Sequence, residues 1–402
     1  MEDYSAYIYS SLKSLQKTAC QVADKIDEKA DALASTIRTA VHTSSLYRTA
    51  RPPPPPPVPV TSGFSRLYHW ADENRLATAI LASTTLGLST YIVHSRQVAR
   101  RKRRAPRAPN GARSTVILLS GSPHDPATRS LATDLERRGF IVFLIVANLD
   151  DEQTVLSLGG RDIRPLHLDL LDPAASAASV GKFETYLTTP TQAFPGAVPH
   201  RLKLAGMVVV PDSHYPEGPV EVISADTWGD VLNCRLMSPF LTVTLFVSVL
   251  RGQKAKLLVL TPAAQLALRP AFHAPEVVVA AGLEAFVGCL RRELRPMGVD
   301  VTTVRTGTFD LPAGYNAAQA ANRRQEVANW GEKVKGVYGD LKERRVRGSN
   351  VRELSNCVFD IIMQGGGKTV RVGSGAWLHE ILGWVVPDRV LDAVTEWGRE
   401  KV

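Results

Sequence analysis

Seven short apolar runs alternate with helix-like segments over residues 114–402. The runs cover residues 115–119, 141–146, 164–168, 206–210, 256–260, 299–304 and 370–372. Strands that are apolar on both faces belong to sheets that helices cover on both sides. The alternation predicts one α/β domain, a Rossmann-like doubly wound parallel sheet, over residues 114–402.

Residues 1–50 have a different pattern, with no proline and apolar side chains at alternating steps of three and four. The stripe consists of Ile8, Leu12, Leu15, Ala19, Val22, Ile26, Leu33 and Ile37. This spacing predicts an amphipathic helix. Self-association or docking on a partner is one interpretation. The other is a helix that packs on its own protein or lies on a membrane, and the pattern does not separate the two.

A proline-rich linker, residues 51–63, follows. Six consecutive prolines after Arg51 exclude both a helix and a central strand, and they favour a stiff polyproline II segment. Arg51, Pro54 and Pro57 also match the pattern of an SH3 ligand, but any proline run after an arginine does so. We therefore interpret the segment as a spacer.

Residues 64–95 form a membrane-like segment, in which residues 76–93 carry no charged side chain. A helix of this length spans about 27 Å, close to the thickness of a hydrocarbon core. Trp70 and Tyr91 lie at the two ends, where interfacial aromatic residues are common. We predict a single transmembrane helix. A buried helix of a soluble domain is the alternative.

The charge of +9 comes from a short tract, residues 96–113, which has eight basic residues and no acidic one. The tract predicts contact with anionic headgroups and a C-terminal domain on the cytosolic or matrix side of an endoplasmic reticulum or mitochondrial membrane. It gives little support to nucleic-acid binding, because the remaining chain is nearly neutral. A nuclear-localisation signal is an alternative interpretation of the tract.

The four cysteines are dispersed, at Cys20, Cys234, Cys289 and Cys357, without any closely spaced pair. This pattern indicates free thiols in a reducing compartment and gives no metal site. The N-terminal sequence MEDYSAYIYSS is not a secretory signal because it has no apolar core.

Residues 274–308 resemble the long helix and following strand of the short-chain dehydrogenase/reductase superfamily. Residues 282–294 fit the pattern A-L-E-A-F-x-x-x-L-R-x-E-L, and residues 299–307 fit the strand and turn after it. The whole arrangement, with its apolar span and proline linker, is similar to a divergent fungal family of dehydrogenase-like membrane proteins that carries a domain-of-unknown-function label.

The resemblance implies a catalytic set of Asn, Ser, Tyr and Lys, and this chain has none of them in place. The four slots hold Arg235, Pro262, Glu276 and Ala280. The chemistry needs a phenol as acid and base, a lysine that lowers its pKa and a hydroxyl that orients the carbonyl.

A shifted alignment does not restore the set. The chain has no tyrosine between Tyr215 and Tyr315 and no lysine between Lys256 and Lys333. The missing groups are therefore absent from the whole helix.

The dinucleotide turn of the superfamily is degenerate as well. Ser120 and Gly121 keep the opening of the T-G-x-x-x-G-x-G pattern, but Asp125 puts a carboxylate where a phosphate would bind. Asp169 resembles the aspartate that contacts the adenine ring. Ser120, Gly121 and Asp169 are the retained residues of a cofactor site, for which NAD(P) is the implied cofactor.

Two functions remain open from the sequence. The first is a membrane-anchored, non-catalytic binding or scaffolding module, a pseudoenzyme with the dehydrogenase fold. The second is a divergent NAD(P)-dependent oxidoreductase that acts on a lipid-like carbonyl or alcohol with a rebuilt site. In the second, Glu276 is the acid, and Arg235 and Thr261 lie beside it.

Overall fold

The computed structural model describes residues 103–192, 195–338 and 348–386, together with Asn74, Ser83, Ser89 and Thr90. The predicted amphipathic helix of residues 1–50 and the linker of residues 51–63 lie outside the described residues. The membrane-like segment, with its span at 76–93, also lies outside them apart from the four single residues just named. The chain divides into two units, Met1–Lys102 and Arg103–Val402, and the second contains the described domain.

A seven-stranded parallel sheet forms the centre of this domain. Its strands are β1 (Thr115–Ser120), β2 (Ile141–Val146), β3 (Ile163–His167), β4 (Lys203–Val209), β5 (Lys256–Pro262), β6 (Val301–Thr306) and β9 (Thr369–Val372). Their order is β3-β2-β1-β4-β5-β6-β9, and each neighbouring pair is parallel. The strand order reverses between β1 and β4, as in a doubly wound dinucleotide fold. The predicted fold class is confirmed, and the seven apolar runs coincide with these strands apart from shifts at their ends.

Helices cover both faces of the sheet. They are α1 (Pro126–Arg137), α2 (Leu149–Ser157), α3 (Pro173–Thr188), α4 (Ala225–Leu232), α5 (Ser238–Gln253), α6 (Ala263–Leu268), α7 (Ala274–Leu294), α8 (Ala313–Ala328), α9 (Glu332–Tyr338), α10 (Val351–Gln364) and α11 (Ala376–Val385). A small parallel pair, β7 (Phe309–Asp310) and β8 (Ser349–Asn350), lies apart from the main sheet.

The core has one layer on each side of the sheet. Strand residues that alternate in direction, such as Leu257 and Leu258, enter different layers. Helices α3, α5 and α7 complete the first layer through side chains such as Phe183, Phe246 and Leu283. Helices α1 and α10 complete the second. The fully apolar strands are therefore explained by burial on both faces.

One continuous helical stretch, residues 225–253, is long and apolar enough to cross a membrane, by length and composition only. It comprises α4, a π-helical turn (Asn233–Met237) and α5. Val243, Phe246 and Leu250 of this stretch are buried in the first core layer. The finding therefore says nothing about the predicted span at residues 76–93.

The described domain begins before residue 114. Nε and Nη2 of Arg103 donate hydrogen bonds to the two carboxylate oxygens of Asp360, at 2.8 and 2.7 Å. Ala105 is buried. Arg113 pairs with Glu136 at 2.7 Å and with Asp162 at 3.1 Å. Part of the tract predicted as juxtamembrane, residues 103–113, thus packs on the domain, because carboxylates of α1 and α10 neutralise two of its arginines.

Candidate functional site

The turn after β1 lies at the carboxyl edge of the sheet, where doubly wound folds bind ligands. Ser120 is buried in the last position of β1, and its carbonyl accepts a 2.7 Å hydrogen bond from the Val210 amide. A Cβ on Gly121 would lie only 2.9 Å from the Val210 carbonyl oxygen. The predicted residues Ser120 and Gly121 therefore hold β1 tightly against β4.

Asp125 caps the helix that follows this turn. Its Oδ2 accepts hydrogen bonds from the Thr128 amide at 3.0 Å and from the Thr128 hydroxyl at 3.3 Å. The Ser213 hydroxyl donates to the other carboxylate oxygen, and the same hydroxyl lies 2.6 Å from the Tyr315 hydroxyl. Gln319 in turn donates to Tyr315 at 3.0 Å. Side chains from the turn after β1, the segment after β4 and α8 thus meet over the N-terminus of α1.

Burial raises the pKa of Asp125, although hydrogen bonds from Ser213 and Thr128 partly oppose this effect. Asp125 is only 3% exposed. A buried carboxylate that already satisfies the helix N-terminus competes with any anion for the same amides.

The residues present do not fit the pyrophosphate of a nicotinamide dinucleotide. That group needs free amides at the helix N-terminus and small residues beside them. Here an acidic side chain uses the Thr128 amide, and Ser213 and Tyr315 cover the cap.

The segments after β2 and β3, where the superfamily binds adenosine, also make contacts within the protein. Asp169 follows β3, and its carboxylate accepts a 3.0 Å hydrogen bond from the Leu171 amide. Asp151 in the first turn of α2 lies 3.1 Å from Nε2 of His124, and Asp150 lies 3.5 Å from it. The predicted residue Asp169 therefore stabilises its own loop.

Arg235 lies in the π-helical turn between α4 and α5, a feature that is frequent at functional sites. Its guanidinium pairs with Asp212 at 3.0 Å and donates a hydrogen bond to the His214 carbonyl. The guanidinium carbon also lies 4.7 Å from the centre of the Tyr215 ring. The side chain in the catalytic Asn slot is thus engaged by the segment after β4.

Glu276 lies in the first turn of α7, next to His273, with its side chain 16% exposed. The Glu276 carboxylate is 3.5 Å from Nδ1 of His273, a long distance for a hydrogen bond. Burial raises the pKa of Tyr215, and the negative charge of Glu276 raises it further, whereas the positive charge of Arg235 opposes this. The two predicted residues, Glu276 and Arg235, therefore act on the same buried tyrosine.

Thr261 stands apart from this cluster. It is fully buried in β5, and its hydroxyl has no hydrogen-bond partner among the described residues. Ala280, in the lysine slot of α7, is also buried, at 2% exposure. The structure places Glu276 and Arg235 near the same residue, Tyr215, and records no contact of the Thr261 side chain with either of them.

Asp212 and Tyr215 complete the charged cluster, and the sequence interpretation missed both as site residues. Their signal was present, because Asp212 is the third residue after the end of β4, and ends of parallel strands build sites. In the cluster, Arg235 pairs with Asp212 and lies over the ring of Tyr215. The charged groups of the cluster contact one another.

An open apolar groove lies beside the start of α7, with a volume of about 780 Å³. It is lined by Pro219, Val220, Glu221, Arg269, Pro270, Ala271, Phe272, Ala274, Val277 and Val278. Two of these, Arg269 and Phe272, have left-handed backbone angles, with φ of 45° and 69°. The sequence did not predict this groove.

The parallel order β3-β2-β1-β4-β5-β6-β9 defines this protein as a Rossmann-like fold of the short-chain dehydrogenase/reductase type. Within that class, the chain belongs to DUF1776, a fungal family of unknown function, which matches residues 112–392.

Two relatives and one solved structure are similar to parts of this chain. The UPF0744 protein C106.03 of Schizosaccharomyces pombe is 29% identical over 264 residues, 66% of this chain and 69% of that protein. The mitochondrial D-beta-hydroxybutyrate dehydrogenase of Mus musculus is 27% identical over 184 residues, which are 45% of this chain and 50% of that protein. A solved short-chain dehydrogenase/reductase family oxidoreductase from Burkholderia thailandensis is 17% identical, with a TM-score of 0.47 over 70% of this chain and 97% of that chain.

Proposed function

We propose that this protein is a membrane-anchored domain with a dehydrogenase fold that binds or scaffolds and does not transfer hydride. The observation that carries the proposal is the capped N-terminus of α1. Asp125 uses the amide that a pyrophosphate needs, and Ser213 holds the other oxygen of its carboxylate.

The catalytic slots support the same conclusion. Arg235 stands where the resemblance implies Asn, and it is occupied by Asp212 and the Tyr215 ring. The lysine slot is a buried alanine, Ala280, and no lysine lies between Lys256 and Lys333 to replace it. Burial and the charge of Glu276 raise the pKa of Tyr215 although the Arg235 guanidinium lies over its ring, so Tyr215 keeps its proton.

The test is a titration of the full-length protein in detergent with NADH and with NADPH. Binding to the native state raises the melting temperature, and it also changes the fluorescence of the reduced nicotinamide. We expect neither signal at millimolar cofactor. The variant Asp125→Gly, which removes the competing carboxylate, tests whether the cap is the obstacle, and Asp172→Gly at the exposed N-cap of α3 is its control.

A saturable melting shift with either cofactor in the unmodified protein contradicts the proposal. It would favour the divergent oxidoreductase, with Glu276 as the acid and Arg235 beside it. In that case a Glu276→Gln variant retains cofactor binding and loses turnover of a lipid-like carbonyl or alcohol, whereas a purely structural Glu276 leaves turnover unchanged.

Anchoring is the second part of the proposal, and the uncharged residues 76–93 with the basic tract after them support it. Alkaline carbonate should leave the full-length protein in the membrane pellet and release a variant that lacks residues 76–93. In sealed vesicles, protease added on the cytosolic or matrix side should reach the C-terminal domain. Release of the full-length protein by carbonate contradicts the anchor.

The stripe of residues 1–50 is proposed to mediate self-association or partner docking. Deletion of these residues should lower the mass of the detergent-solubilised protein. An unchanged mass contradicts self-association through this segment.

A further inference from the structure

The last described helix, α11, exposes an apolar stripe. The exposed fractions are 64% for Trp377, 48% for Leu378, 88% for Trp384 and 59% for Val385. Trp377 and Trp384 are separated by two helical turns, about 10 Å, and therefore lie on one side of the helix. Ile381 falls between them on the same side. Two adjacent, exposed tryptophans are uncommon on a soluble surface.

Charged groups at the edge of the stripe are neutralised. Glu380 is bound by Arg305 at 2.8 Å and by a bidentate contact with Arg371. The hydrogen bond from Arg371 and the charge of Arg305 lower the pKa of Glu380, so it stays ionised and paired. The acidic residue nearest in sequence to the tryptophans thus presents no free negative charge.

Helix α6 lies between α11 and the apolar groove at the start of α7 in the chain of contacts. Helix α11 packs along α6, and Gly383 lies against Ala267, where a Cβ on the glycine would be 2.6 Å from the Ala267 carbonyl oxygen. Arg269 ends α6 two residues later and lines the groove together with Val278. Arg269 is exposed, and it makes no ion pair with any described residue.

We propose that the stripe of α11, together with Arg269, is a surface that lies on an anionic lipid bilayer. Tryptophan favours the interface between headgroups and acyl chains, since its ring is apolar and its N–H is polar. An uncharged helix face with a cation beside it is the chemistry of an interfacial helix. Glu221 is an acidic residue on the groove, and it lies in the segment after β4, away from α11 in sequence.

A second copy of the chain fits this surface less well. Helix α11 has 10 residues and is therefore about 15 Å long. A stable protein interface buries about 800 Å² on each partner, more than one short helix face provides. A bilayer has no such requirement, because each inserted side chain contributes by its own apolar area.

The inference rests on the proposed anchor, which would hold the domain near a membrane. It adds a second and separate contact. Failure of the anchor and failure of this surface give different results: the first releases the protein in carbonate, and the second leaves it in the pellet with its tryptophans in water.

The experiment is fluorescence quenching of the full-length protein in vesicles that contain a shallow brominated lipid, with and without phosphatidylserine. Trp70 and Trp397 are replaced by Phe, so the remaining tryptophans all belong to the described domain. We expect quenching in phosphatidylserine vesicles that falls by more than half in the variant Trp377→Phe/Trp384→Phe. Trp330→Phe is the matched control, because Trp330 is only 5% exposed.

The contribution of Arg269 has its own measurement. The variant Arg269→Gln should reduce the extra tryptophan quenching that phosphatidylserine causes. It should leave the quenching in neutral vesicles unchanged. Equal quenching in the double variant and the Trp330 control overturns the proposal. Full access of Trp384 to aqueous acrylamide also overturns it. So does a mass of the protein that rises with its concentration, if Trp384→Asp abolishes the rise, because the surface would then bind a second copy.

Discussion

The Ser213 hydroxyl donates a hydrogen bond to the Asp125 carboxylate across the carboxyl ends of β1 and β4. This contact lies where the strand order reverses, and in doubly wound folds ligands bind at that point. The Ser213 hydroxyl and the Asp125 carboxylate therefore occupy the place where a ligand would bind in such a fold.

Asp125→Ala should destabilise the protein by about 1 kcal/mol through loss of the helix cap, whereas Asp125→Asn should keep the cap. The pH dependence gives the sharper result. Because the folded-state pKa of Asp125 is raised, its contribution to stability is complete below the ordinary pKa of about 3.9 and is lost as pH rises through the folded-state pKa. Asp125→Asn should lack this decrease. Urea unfolding between pH 4 and pH 8 measures it.

Asp172→Asn is the control for that series, since Asp172 caps α3 at an exposed position. A decrease in stability with pH that persists unchanged in Asp125→Asn would show that another group causes it.

Arg235→Gln should destabilise the domain by about 2 kcal/mol, because it leaves the partly buried Asp212 carboxylate unpaired. The double variant Asp212→Asn/Arg235→Gln should cost less than Arg235→Gln alone, since it removes both charges. Thermal unfolding of the two variants measures the difference, with exposed Arg269→Gln as the control. A double variant less stable than the single one contradicts the pairing.

Thr261→Val should leave stability unchanged or raise it by about 1 kcal/mol, since the Thr261 hydroxyl is buried without a partner. Thr303 on the neighbouring strand is the matched control. It is equally buried, but its hydroxyl accepts a 2.9 Å hydrogen bond from Arg291. Thr303→Val should therefore destabilise by about 1–2 kcal/mol. Equal costs at the two positions would mean that Thr261 has a partner.

Gly121→Ala should destabilise by about 1–3 kcal/mol, because the new Cβ would meet the Val210 carbonyl oxygen at 2.9 Å. Gly181→Ala, inside α3, is the comparison. A Cβ on Gly181 has no heavy atom within 4 Å, and alanine favours a helix by about 0.5–1 kcal/mol. A neutral Gly121→Ala would show that β1 and β4 are less tightly packed than the structure indicates.

The fold could be predicted from the chain because its signals are local. Runs such as Ile141–Val146 are apolar at every position, and such runs belong in a sheet covered on both faces. The 21-residue helix α7 was predicted from its resemblance to the long helix of the short-chain dehydrogenase/reductase superfamily, and its buried residues have helical spacing.

The site could be predicted only by what it lacks. The replaced slots at Arg235 and Glu276 follow from the sequence, but their shared neighbour Tyr215 does not. Tyr215 lies on the segment after β4 and Glu276 on α7, and no local pattern relates the two. Nor does the sequence show that Thr261 is fully buried, although its hydroxyl is the kind of group that could orient a carbonyl.

By itself the sequence determined the doubly wound domain, the absence of a Tyr and Lys pair and the degenerate turn after Ser120, since each depends on which residues are present and on their spacing. Only the tertiary structure decided that Asp125 caps α1 under Ser213 and Tyr315, that Arg235 binds Asp212 and that α11 exposes Trp384. The physical reason is that hydrogen bonds, ion pairs and burial depend on the distance between atoms in space, and here the chain brings together side chains from distant strands and helices.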